Sequence, residues 1–86
     1  MSSVSNTLSF QVTTGTTATN LPSNKLQLGA TLLAGTAAVT IGTTSAVSTS
    51  NGFTIAAGQN VRWQGSNTNQ LFVISATASS LSVLGN

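Results

Sequence analysis

Leu8, Phe10 and Val12 alternate with Ser9, Gln11 and Thr13. A period of two marks a strand with one face turned into a core, so the first strand is expected over residues 7–14. Gly15 supplies a turn, and a Thr-rich extended piece follows over 16–21. In Leu21-Pro22-Ser23-Asn24, proline in the second position with Ser and Asn after it favours a type I turn. Leu26, Leu28, Thr31 and Leu33 then fit a strand kinked at Gly29, although Leu28, Leu32 and Leu33 would also lie along one side of a helix. Gly29, Gly35 and the threonines weigh against the helix, by about 1 kcal/mol for each Gly relative to Ala. Val39 and Ile41 resume the alternation, and Gly42 closes it.

The second half reads the same way. Residues 46–50 lead into Asn51-Gly52, a dipeptide that reaches the positive φ of a tight hairpin turn at little cost. Phe53 and Ile55 share a face, and Ala56-Ala57-Gly58 makes the next turn. Val61 and Trp63 then point one way and Arg62 and Gln64 the other, which leaves Arg62 exposed or at an interface. Residues 65–69 form a loop of turn formers before Leu71, Phe72, Val73 and Ile74, a run apolar on both faces. Such a run suits an interior strand covered on each side, or a strand whose outer face meets a partner. After a turn at 78–80 the last strand covers 81–84.

Seven or eight short strands joined by turn chemistry predict an all-β protein, a small antiparallel β-sandwich of jelly-roll type or a small barrel. Period-two alternation tells which way a side chain points and leaves the strand order open. One domain is expected over 7–86, preceded by a short polar N-terminal arm, residues 1–6, with no basic region to make it a secretory leader. The uncharged stretch 28–42 would reach only about 22 Å as a helix, against a hydrocarbon core of about 30 Å. It is expected to form paired strands, and no membrane association follows.

Composition removes most chemistry. The 86 residues include two cations, Lys25 and Arg62, and no Asp, Glu, His or Cys. General acid–base and nucleophilic catalysis need a titratable group near working pH, and zinc or calcium needs thiolate, imidazole or carboxylate ligands. Ser and Thr make up 28 of 86 residues, but only Lys25 or the α-amino group could activate one, and Lys25 reads as a surface lysine. The expected inventory is therefore no enzyme, no catalytic residue, no cofactor, no metal and no small-molecule substrate. A net charge of +2 releases too few counterions for useful nucleic-acid affinity, and Phe10, Phe53, Trp63 and Phe72 are not interleaved with basic residues. The strongly basic isoelectric point reflects missing acids, not abundant bases. With no side chain titrating between about pH 4.5 and 7, linkage gives stability no slope there. Thermal melts of the isolated chain across that window should superimpose, and a shift of many degrees would overturn this.

A chain of this length buries only about 60–65% of the surface its unfolded form exposes, and without cysteines it has no disulfide to help. A neutral, hydroxyl-rich skin supplies hydrogen bonds without the desolvation penalty of ions, so assembly with neighbours is the expected state. The candidate interface residues are Lys25, Arg62, Phe72 and Ile74.

Several blocks give the string a familiar look. They are 18–23 (Ala-Thr-Asn-Leu-Pro-Ser), 39–42 (Val-Thr-Ile-Gly), 47–58 (Val-Ser-Thr-Ser-Asn-Gly-Phe-Thr-Ile-Ala-Ala-Gly), 71–76 (Leu-Phe-Val-Ile-Ser-Ala) and 81–84 (Leu-Ser-Val-Leu). Together they resemble small virion proteins of tailed bacteriophages, over most of the chain from about Gln11 onward. The resemblance implies a short β-sandwich that serves as a capsid decoration or cement subunit on the outer surface of the phage head. Its partners would be the major capsid protein and other copies of itself, as a dimer or trimer. Sequences of this style often carry a more acidic strand after the Ala-Ala-Gly turn, where Gln59-Asn60-Val61-Arg62-Trp63 stands here. The resemblance carries no functional residue with it. The alternative of another class is a tail, fibre or host-surface attachment module, for which Trp63 with Gln64, Asn67 and Asn69 is the candidate sugar platform. A free-standing ice-binding or adhesive β protein is the third option, on the strength of the many threonines.

Overall fold

The computed structural model describes residues 8–85; the expected arm, residues 1–6, lies outside them. Among these residues eight strands form: β1 (Leu8–Thr14), β2 (Thr19–Asn20), β3 (Ala30–Ala34), β4 (Val39–Gly42), β5 (Phe53–Ile55), β6 (Asn60–Trp63), β7 (Phe72–Ile74) and β8 (Ser79–Gly85). One 3-10 turn, Thr68–Gln70, precedes β7. The strands make two four-stranded sheets, ordered β1-β8-β3-β6 and β2-β7-β4-β5, with every pairing antiparallel. The expected all-β sandwich is thus the fold. The strand order left open by periodicity is that of a jelly roll, two interlocked Greek keys in which the first and last strands lie side by side.

The short connections after β1, β3, β5 and β7 all cross from one sheet to the other. Each is an arch over the end of the sandwich and not a hairpin. Residues 28–42, expected as paired strands, therefore fold as β3 and β4 in opposite sheets, facing each other across the core. At the β5–β6 arch the Gln59 amide donates to the Ala56 carbonyl (2.9 Å) with Gly58 at φ +74°, a type II turn in which Gly takes the position that disfavours a Cβ.

The core fills the space between the sheets. From the first sheet come Ala30, Leu32, Ala34, Leu81 and Val83, and from the second Val39, Ile41, Ile55 and Val73. Leu8, Phe10, Val12, Val61 and Trp63 flank it half-buried. The expected stripe Leu26-Leu28-Thr31-Leu33 is not the buried one: Leu28 and Leu33 are exposed, and Ala30, Leu32 and Ala34 face inward. Leu26, Ala30, Leu32 and Ala34 keep one parity on both sides of Gly29 (φ +102°), so the change of parity expected at the kink does not occur and only Leu28, beside the glycine, turns outward. The buried hydroxyls are satisfied. Ser75 donates its proton to the Thr77 carbonyl (2.6 Å), so Thr14 is the donor in the 2.8 Å contact between their side chains.

The expected turn at 21–24 is an extended segment instead. It runs antiparallel to 66–71, with Leu21 N–H donating to Leu71 O (3.0 Å), Leu26 N–H to Ser66 O (2.8 Å) and Thr68 N–H to Asn24 O (3.0 Å). Asn67 caps the 3-10 turn and ties the two segments together, its Oδ1 accepting from the amides of Asn69 and Asn24 (both 3.0 Å). Residues 46–50 belong to the long β4–β5 loop, and the tight turn sits at Ser48–Asn51, not at Asn51-Gly52. The Asn51 side chain decides this by accepting the Ser48 amide at 2.8 Å. Val47 of that loop lies over the outer face of the second sheet, in space that a Cβ on Gly42 or Gly52 would occupy.

Candidate functional site

The outer face of the β1-β8-β3-β6 sheet is set by the parity of its strands. Whatever alternates with the buried Leu32, Leu81 and Val83 must point away from the core. Register builds two rows across this face: Ser9, Leu84, Thr31 and Arg62 in one, Gln11, Ser82, Leu33 and Asn60 in the other. Leu84 (56% exposed) and Leu33 (39%) stand in neighbouring rows. They border a shallow depression of about 500 Å³ rimmed by Ser9, Gln11, Thr31, Asn60 and Ser82. Arg62 is the one ionisable side chain on the face. Its Nη2 donates to the Leu28 carbonyl at 2.7 Å, which holds the guanidinium at the margin and leaves its other donors for a partner.

A second concavity opens at the side of the sandwich between the edge strands β5 and β6. Ile41, Phe53, Val61, Trp63 and Leu71 line about 230 Å³ there, with Arg62 at the mouth. Phe53 occupies an inward position opposite Ile41 yet stays 55% exposed, because the sandwich ends beside it. The Trp63 indole lies against Gly65, where any Cβ would collide with it.

The four candidate interface residues do not form one site. Phe72 and Ile74 share the outer face of β7, an interior strand of the second sheet, while Arg62 lies on the opposite sheet and Lys25 is exposed on the segment paired to Asn67. Ile74 is only 9% exposed, so the two-sided apolar run is accounted for by an interior strand and offers little to a partner. No protein-family model, curated protein or solved structure matches this chain. Its candidate surface is therefore defined by its own residues.

Of the proposed sugar platform, Gln64 and Asn69 are exposed and Trp63 is half-buried against the core. Asn67 is committed internally, its Nδ2 donating to Ser23 Oγ at 3.2 Å besides the two amides on its Oδ1. Sequence reasoning missed Leu28, Leu33, Leu84 and Phe53. For Leu84 the signal was present: Ser80, Ser82 and Leu84 share the parity opposite to Leu81 and Val83. For Leu33 it was hidden because the inward positions on either side of Leu32 are alanines, Ala30 and Ala34.

Proposed function

We propose that this chain works by contact, as a structural subunit of a tailed-phage virion that decorates the outer surface of the head and ties the major capsid protein and its own copies together. The observation that carries the proposal is the β1-β8-β3-β6 face, where Leu33 and Leu84 stand exposed among hydroxyls and amides with Arg62 as the only charge. Interface centres are depleted of charge and rimmed by polar groups, and this face has that composition. Its neutral polar atoms can be desolvated against a neighbour without stranding an ion. The jelly roll also recurs in capsid proteins and in lectins, a likeness of fold that does not by itself assign a role. The resemblance of the turn-and-strand blocks to small phage virion proteins supports the head assignment.

Quantitative mass spectrometry of purified virions tests it. Copies on the order of hundreds per particle are expected, as a repeating lattice requires. A handful per particle would replace the head assignment with the tail or attachment module, for which the aromatic cleft of Phe53 and Trp63 would be the binding feature. Absence from particles would end both.

A further inference from the structure

Of the four sheet edges, three are short: β2 has two residues, β5 three and β6 four. The fourth, β1, has seven. Free proteins protect long edges with charge, proline or a bulge, because a row of unpaired N–H and C=O groups recruits another strand. β1 has none of these. Its sequence, Leu-Ser-Phe-Gln-Val-Thr-Thr, lacks charge and proline, and its one-to-one register with β8 from Leu8↔Gly85 to Thr14↔Ser79 leaves no room for a bulge. β8 satisfies one side only. Among the described residues, no backbone group of 8–14 bonds anywhere else. The core is also thin here: Leu8, Phe10 and Val12 remain half-buried, and the strand across the sandwich on this side, β2, is only two residues long.

We propose that a second copy of the chain pairs with this edge, β1 against β1 in antiparallel fashion about a two-fold axis at Gln11, joining two four-stranded sheets into one of eight. The strand is complementary to itself in that register. Phe10 meets Val12 of the second copy on the core side, an aromatic against a β-branched residue, which is a favourable cross-strand pair. Leu8 meets Thr14, Ser9 meets Thr13, and Gln11 meets its own equivalent on the outer face. No two charges face each other. A shift of one residue would oppose inward positions of one copy to outward positions of the other and set the two cores on opposite faces of the joined sheet, and only the register centred on Gln11 pairs all seven residues. The seam is about 23 Å long at about 3.3 Å per residue and buries less than a standard interface of about 1,600 Å². The dimer is therefore weak in dilute solution and strengthened wherever copies are held close together.

The pairing deepens the self-association within the proposed function. Its test uses the purified chain alone, so failure here leaves the copy number in virions unaffected. Native mass spectrometry and sedimentation should show the 8.6 kDa chain doubling in mass as concentration rises toward about 1 mM, the range in which weak complexes form. The register is read by introducing thiols into a chain that has none. Paired Cα atoms lie about 4.5–5.5 Å apart, within disulfide reach. Gln11→Cys should therefore cross-link to itself about tenfold faster than Ser9→Cys or Thr13→Cys alone. A mixture of Ser9→Cys and Thr13→Cys should give the mixed dimer. All three sites are exposed, and a wild-type readout independent of them is amide exchange, where alternate amides of β1 should slow as concentration rises. A chain that stays monomeric throughout, a trimer, or Gln11→Cys cross-linking no faster than its neighbours would overturn the proposal, and a strand from another protein would then be the occupant of this edge.

Discussion

Replacing Leu32 by alanine is expected to lower folding stability by about 2–5 kcal/mol, the range for deleting a buried leucine side chain and leaving a cavity. Leu32 is fully buried in β3, an interior strand, and packs within the core between the two sheets. A domain of this size has about 5–15 kcal/mol in total, and each kcal/mol moves its melting temperature by about 4–8 °C. The substitution should therefore lower the midpoint by about 8–40 °C in a thermal melt followed by circular dichroism. The next residue is the control. Leu33 lies on the outer face, and Leu33→Ser should stay within about 0.5 kcal/mol of the parent. If the two substitutions cost the same, the parity assigned to β3 is wrong.

Gly29→Ala should be nearly as damaging, by a different route. At φ +102° an L-residue is strained by about 1–3 kcal/mol. The new methyl would also sit 2.6 Å from the Trp63 carbonyl oxygen and 3.2 Å from Gln64 Cα, backbone atoms that cannot swing aside as a side chain can. Overpacking adds about 1–3 kcal/mol, so denaturant titration should give a loss of about 2–6 kcal/mol in all. Gly15→Ala is the contrasting substitution. Gly15 does not have a positive φ and nothing lies within 4 Å of a Cβ there. That variant should be neutral or gain about 0.4–1 kcal/mol through a less flexible unfolded chain. Equal losses from both would mean that Gly29 does not hold the left-handed conformation.

The strand that follows Gly29 is where the sequence stopped being legible. Alternation located β1, β4, β5 and β6 and the inward faces of Val39, Ile41, Val61 and Trp63, since in those stretches a large apolar residue recurs without a break in backbone hand. In β3 the inward positions flanking Leu32 are alanines, which leave a weak hydrophobic signal. They are small because the neighbours are close: a Cβ on Gly85 would come within 2.9 Å of the Ala30 methyl. Nothing in the alternation marks Val47, because its role, a plug over Gly42 and Gly52, depends on contacts across a loop. Asn51-Gly52 promised a turn in the right region, but the Asn51 side chain bonded backward to Ser48 and moved it. The outer contact face was half visible. Parity exposes Leu84, whereas its adjacency to Leu33 needs the order β8-β3, which no single strand encodes.

In that order Leu8 lies opposite Gly85. The polypeptide therefore enters and leaves the domain at the same end of neighbouring antiparallel strands. Tension applied through the two ends would peel β1 from β8 like a zipper, breaking the ladder one pair at a time, because the interstrand bonds lie perpendicular to the strands. Force delivered broadside, through the sheet faces, would instead press the two sheets against the core between them and would not load that ladder from one end. Mechanically, this is a body suited to compression across its faces and poorly suited to serve as a link in a chain pulled by its ends.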